Sequence, residues 1–270
     1  MAAPYLQTLG NGIKVLDALK TGPSDAAGLV EPTGLPRVTI YRILRTLEAE
    51  GMVTRVEDDS SFQLSPKVWE LGQAAVVGAG SHPVTRTQVD KLRRAWGDTV
   101  HVAVYDAGEV LYVYKVDGTT PLRAYTTLGG RAPATAVASG KALLAFQPQD
   151  EIDRVLEGPI ERYTDLSVTS PEELAAQLEE IRTTLTAYNR GEWRSGIGGV
   201  ATPILTSSGT AVGAVSISGF VDRILDKDLP RRAANVMTAA RSIALGLAPD
   251  GNAGEIGVLY SKASQARKAA

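Results

Sequence analysis

The 270-residue chain has no cysteine and only two histidines, His82 and His101. Without thiols it forms neither disulfides nor thiolate metal sites, and two histidines supply a zinc site or a histidine-based triad poorly. No apolar run approaches the roughly 20 residues that span a bilayer, and no basic segment precedes an apolar one at the N-terminus. A cytoplasmic location, with no membrane partner, is the expectation. Positive charge is not in excess either. The net charge is −2, and residues 1–80 hold seven Lys or Arg against nine Asp or Glu. Any polyanionic partner must therefore be met by local placement of basic side chains. Hydrophobic residues at 44% and charged residues at 21% are ordinary globular values, and the length suits two domains, each with its own core.

The most informative stretch is 33–51, TGLPRVTIYRILRTLEAEG. Pro36 stands where a first helical residue belongs, and Gly51 can end the helix. Ile40, Ile43, Leu44 and Leu47 recur at helical spacing and predict a buried face. The opposite face carries Val38, Arg42, Arg45 and Ala49, with Arg37, Thr39 and Tyr41 near its start. Three arginines and no acid fall between Pro36 and Leu47, which fits a helix lying against a polyanion. A solvated surface helix has the same composition, so context decides. Upstream, Leu6, Leu9, Ile13, Leu16 and Leu19 trace an apolar stripe. Ser24 or Asp25 caps a short helix through Val30, and 32–34 turns the chain. Downstream, 52–56 and 61–64 read as two strands joined by Glu57-Asp58-Asp59-Ser60. Three helices and a hairpin in this order make a winged helix-turn-helix over 5–65, whose third helix would enter a major groove. The acidic tip should stay out of that groove, since three carboxylates are repelled by phosphates.

Beyond it, Ser65 and Pro66 start a linker helix expected to run through Val77, and the glycines of 78–83 mark the domain boundary. A helix over 84–96 opens the second domain. Strands follow at 100–105 and 110–116, with His101 read as a sheet residue that has a local partner, and a third strand at 121–127. Residues 128–135 read as a loop, 137–146 as helical, 152–156 as a short apolar stretch, and 171–188 as a longer helix capped by Ser170. Residues 189–199 contain four glycines and read as an irregular loop. Strands at 200–205 and 211–217 and a final helix within 224–247 complete an α+β domain. The Ala-, Gly- and Lys-rich stretch 249–270 is expected to be a flexible tail.

Two motifs mislead. Gly196-Ile197-Gly198-Gly199-Val200-Ala201 fits a dinucleotide pattern but is followed by Thr202-Pro203 where a helix should begin. Ser139-Gly140-Lys141 resembles a phosphate loop, yet Thr135 and Ala142 occupy its defining positions. No cofactor, metal or catalytic residue is assigned. Ala138-Ser139-Gly140 opens a helix, where backbone N–H groups can hold an anion; Ser139 serving only as a helix cap fits equally well.

Thr33-Gly34-Leu35-Pro36, Thr39 to Leu44 and Leu47 to Gly51 closely resemble the N-terminal domain of IclR-type bacterial transcriptional regulators. Residues 138–145, 201–204 and 214–219 resemble signatures of that family's effector-binding domain. The resemblance spans roughly 5–248. It implies a winged helix-turn-helix DNA-binding domain (5–65), a linker helix (66–80) and a GAF-like α/β effector domain (81–248). It also implies double-stranded operator DNA as partner, met by Arg37, Thr39, Tyr41, Arg42 and Arg45, and self-association as a dimer or dimer of dimers. The effector pocket it implies includes Ala138, Ser139, Gly140, Asn189, Gly199, Ser216 and Ser218. Asn189 and Gly199 stand where a keto-acid-binding member has an acid and a cysteine. That implies a roomier, less anionic pocket for a larger organic effector, an aromatic acid or an amino acid. The competing readings are a small-molecule enzyme using Ser139 and Lys141, and a sensor whose winged domain binds protein.

Overall fold

The computed structural model describes residues 5–56, 60–75, 82–119, 126–248 and 253–269, and the chain divides into two compact units, Met1–Ala75 and Val76–Ala270. The acidic tip 57–59, the end of the linker with the boundary glycines, and most of the strand expected at 121–127 lie outside the described residues.

In the first unit α1 (Gln7–Ala18) continues into a short 3-10 turn and is followed by α2 (Val30–Thr33), α3 (Arg37–Ala49), the hairpin β1 (Val53–Arg55) and β2 (Phe62–Leu64), and α4 (Pro66–Ala75). Val15, Leu19, Leu29, Ile40, Leu44, Val53 and Phe62 form its core. The helical spacing of α3 is confirmed, since Ile40 and Leu44 are fully buried while Arg37, Val38, Tyr41, Arg42 and Arg45 are exposed. Local details differ from expectation. Pro36 precedes α3 as its extended N-cap. Asp25 accepts N–H bonds from Ala27 and Gly28, so it caps a turn, and the helix proper starts at Val30 with Pro32 inside its first turn. Gly34, at φ +64°, then reverses the chain into α3. Residues Val15 and Leu19 carry α1 into the core, whereas Leu6, Leu9 and Ile13 are 71%, 63% and 54% exposed. Most of the predicted stripe is therefore uncovered within one chain.

The second unit is built on one antiparallel sheet in the order β5-β4-β3-β8-β7-β6. Its strands are β3 (Thr99–Asp106), β4 (Glu109–Val116), β5 (Arg131–Pro133), β6 (Ala187–Arg190), β7 (Ile197–Leu205) and β8 (Ala211–Phe220). Alternation splits each strand between two cores. Val100, Val102, Val200, Ile204, Val215 and Ile217 face α5 (Pro83–Trp96), α10 (Leu229–Leu247) and α11 (Ala253–Ala269). Ala103, Ala201 and Ala214 face α6 (Ala138–Leu144), α7 (Gln149–Glu157) and α8 (Pro171–Thr184). A single turn, α9 (Val221–Ile224), leads into α10.

Four expectations are corrected here, in whole or in part. Residues 131–133, read as loop, form the edge strand β5 against β4. The helix capped by Ser170 ends at Thr184 because Leu185 takes a left-handed conformation, φ 51°, and 187–190 join the sheet instead of extending the helix. The expected irregular loop 189–199 is irregular over 191–196, while its two ends, 189–190 and 197–199, pair with each other as the facing parts of β6 and β7. Residues 253–269 of the expected tail are helical, and Ile256, Tyr260 and Ala263 are buried in the sheet's core. The Tyr260 hydroxyl donates to Pro203 O at 2.6 Å and accepts from Leu205 N at 3.0 Å, tying α11 to β7. Tyr260→Phe removes both bonds and leaves two buried backbone groups short of a partner. The second unit should lose about 1–3 kcal/mol of stability, read from its urea midpoint.

Candidate functional site

The exposed face of α3 presents Arg37, Tyr41, Arg42 and Arg45, with Thr39 half-buried at its flank. Its side chains are not equally available. Glu48 binds Arg45 at 2.8 Å and Arg55 at 3.0 Å, and Arg55 also lies over the Phe62 ring. Arg37 and Arg42 have no carboxylate within ion-pair distance among the described residues. Ser65 donates to Gly51 O, and Lys67 reaches Glu50 O at 2.7 Å, so the start of α4 is pinned to the end of α3.

In the second unit, register brings polar residues of four strands together on one face of the sheet. Asn189 pairs with Gly199 and Gly199 with Ser218; beside that row, Ala201 pairs with Ser216 and Ser216 with His101. The start of α6 lies over these rows, and a cavity opens between them, lined also by Tyr112, Thr126, Trp193 and Arg194. Six of the seven residues expected in the pocket, namely Ala138, Ser139, Asn189, Gly199, Ser216 and Ser218, do line it. Gly140 does not. A Cβ there would sit 2.4 Å from the Ala134 backbone, so Gly140 is required for close packing of α6. At Gly199 an added Cβ would meet Ile217 O at 3.4 Å and Ala138 Cβ at 3.5 Å. The missing side chain therefore leaves space for about one methyl group in the cavity wall.

Ser139 is not a helix cap: Val137 holds that position and offers no side-chain bond. The Asn189 carboxamide oxygen is committed to the N–H groups of Gly191 and Glu192, at 3.0 and 2.8 Å, which shapes the β6–β7 connection. Lys141 points away from the cavity. Its ammonium bonds both Glu192 carboxylate oxygens at 2.9 and 2.7 Å, a buried pair, and the half-buried Gln177 Oε1 at 2.8 Å. A serine–lysine nucleophile pair is therefore not assembled.

Residues that sequence reasoning missed include Tyr112, Thr126, Trp193 and Arg194. His101 has its expected local partner, Thr126 Oγ1 at 2.7 Å from Nε2, and it also faces the cavity beside the Tyr112 ring. Complete burial, with Lys115 nearby, holds the imidazole pKa down at about 3, and burial pushes the Tyr112 phenol up to about 12. Both groups are uncharged at neutral pH.

Comparison with known proteins fits this architecture. A profile described as "Bacterial transcriptional regulator IclR C-terminal" matches residues 74–245, and one described as "IclR helix-turn-helix domain" matches 8–57. The chain belongs to the IclR family. The HTH-type transcriptional regulator KdgR of Escherichia coli K12 is 30% identical over 210 residues, 77% of this chain and 80% of its own length. Transcriptional repressor IclR of the same organism is 27% identical over 253 residues, covering 90% and 91%. Among solved structures, Thermotoga maritima IclR superimposes with a TM-score of 0.71 at 26% identity, covering 90% of this chain and 99% of that one. An IclR homolog from Microbacterium hydrocarbonoxydans, complexed with 4-hydroxybenzoate, gives 0.80 at 21% identity over 89% and 99%, a likeness in fold. This IclR-family chain is a DNA-binding transcriptional regulator with a C-terminal effector-binding domain. The helix α11 lies beyond both matched stretches.

The buried neutral imidazole makes stability depend on pH with a definite sign. The unfolded chain takes a proton near the ordinary 6.5, while the folded chain resists it down to about 3. His101's contribution is therefore complete above about 6.5 and is lost as pH falls toward about 3. The urea midpoint of the second unit should drop between about pH 7 and about pH 5, and His101→Gln should flatten that slope.

Proposed function

We propose that the chain recognises a pseudopalindromic operator as a dimer, with Arg37, Thr39, Tyr41, Arg42 and Arg45 as its DNA-contacting set, and releases or grips it in response to a ligand in the cavity of the second unit. The observation that carries this reading is α3 itself: a helix anchored through Ile40 and Leu44 that turns an acid-poor, arginine-bearing face outward. Arg42 and Arg37 are the freer cations. Arg45, shared with Glu48, contributes less unless DNA displaces that pair. A ligand alters operator affinity only by binding the two functional arrangements unequally.

Self-association is supported by α1. Leu6, Leu9 and Ile13 form a strongly exposed apolar row, continued by Leu16, of the kind a symmetric two-helix contact covers. Pairing there would place two copies of α3 on one duplex. We read the assembly as a dimer or a dimer of dimers working in the cytoplasm, and the site as one without turnover. We keep an organic effector larger than a two- or three-carbon acid as the ligand class, since Gly199 brings no side-chain bulk to the cavity wall. The ligand carried by the Microbacterium homolog makes 4-hydroxybenzoate a sensible first probe.

Binding to DNA from upstream of the chain's own gene, measured across a salt series, tests the reading. Wild type should lose orders of magnitude in affinity over a few-fold rise in salt, and Arg42→Ala/Arg45→Ala should bind roughly 10- to 100-fold more weakly with a shallower salt slope. Equal binding by both would remove α3 as the reader. Salt-insensitive capture of a protein instead would favour the sensor alternative. Separately, Leu9→Asp/Ile13→Asp should shift sedimentation toward monomer and weaken operator binding together; an unchanged oligomer would place the interface elsewhere.

A further inference from the structure

The cavity of the second unit has a charge pattern that discriminates among organic effectors. Its floor offers the hydroxyls of Ser139, Ser216 and Ser218, the Tyr112 phenol and the His101 imidazole, all neutral at physiological pH. Among the described residues no aspartate or glutamate lines it. Among the described residues that line it, Arg194 is the one permanently charged side chain; it is exposed, lies with its guanidinium 4.8 Å over the Trp193 ring and has no carboxylate within ion-pair distance. The base of this mouth is fixed: Glu192, the preceding residue, is held by Lys141 and by the Asn189 oxygen. Trp193 and Arg194 thus project from an anchored point beside the opening.

The consequences for a ligand follow from elementary electrostatics. An ammonium group entering the cavity would find no acid and would approach a guanidinium. A carboxylate carried to the floor would lose water in exchange for neutral donors alone. At the mouth, by contrast, a carboxylate meets a planar fork of N–H donors, and an adjoining ring can lie along the indole. The alternative anion site, the start of α6, belongs to a helix of only seven residues.

We infer that Trp193 and Arg194 are the specificity-determining pair of this pocket, selecting a planar monocarboxylate whose charge stays at the mouth and whose uncharged end meets the polar floor. This rests on the reading of the cavity as the effector site. It narrows that reading, because amino acids with a free ammonium are excluded.

Calorimetry with a matched series of benzoate, 4-hydroxybenzoate, benzamide and benzylamine tests it on the full chain. Benzoate and 4-hydroxybenzoate should bind at least about tenfold more tightly than benzamide, and benzylamine should not bind. Arg194→Gln, a change at an exposed position, should lower benzoate to the benzamide level and leave benzamide unchanged. Trp193→Ala should weaken all three ligands alike. Retention of the benzoate preference by Arg194→Gln would overturn the assignment, as would benzylamine binding equal to benzoate. Failure of every ring compound at millimolar concentration would overturn the ligand class. Operator binding by ligand-free wild type and Arg194→Gln, run alongside, separates the two levels: loss in both counts against the regulator reading, whereas a changed ring preference with intact operator binding judges the pocket alone.

Discussion

A buried ammonium with three acceptor atoms holds the effector domain's site in shape. Lys141 is on α6, Gln177 on α8 and Glu192 at the connection between β6 and β7, so one side chain joins the helix above the cavity to the loop at its mouth. Burying such a pair adds little net stability, but removing one partner strands a charge in the interior at a cost of about 3–5 kcal/mol. Its value lies in geometry. Burial pulls the Lys141 pKa down while Glu192 pulls it back up, and the bonding partners on the page are those of a charged lysine. Asn189 extends the same network by accepting the Glu192 N–H, so the cavity wall, the mouth and the overlying helix share one set of bonds.

The DNA-binding unit solves a different problem, since it carries more acid than base. Charge is sorted by position: Ile40 and Leu44 fix the roll of α3, and that roll decides which arginines face outward. Glu48 restrains Arg45 and Arg55 on the neighbouring surface. The apolar row of α1 is the counterpart of this arrangement, a surface with nothing to cover it within one chain.

The α3 helix, the hairpin, the strands β3, β4, β7 and β8 and the pocket serines were legible in the sequence because each depends on local periodicity or on a short motif. The α8 boundary was not, because Leu185 adopts a left-handed conformation that only the demand of β6 for a sheet edge enforces. Nor was α11 legible: its composition is that of a tail, and its order comes from Tyr260 reaching the backbone of β7. Gly140 carried a motif-level signal for ligand binding that is in fact a packing requirement against Ala134.

By itself the sequence carried the two blocks of motifs that resemble the family, and it determined the two-unit order and the helix that faces outward with arginines, because helical period and turn residues act over a few positions. The tertiary structure alone decided which distant polar residues share a cavity. His101, Ser216, Gly199 and Asn189 lie on four strands up to 115 positions apart, and only antiparallel register aligns them. It also decided that, among the described residues, the cavity is neutral inside with one cation at its edge, because protonation and access depend on burial, and burial exists only once the sheet is covered.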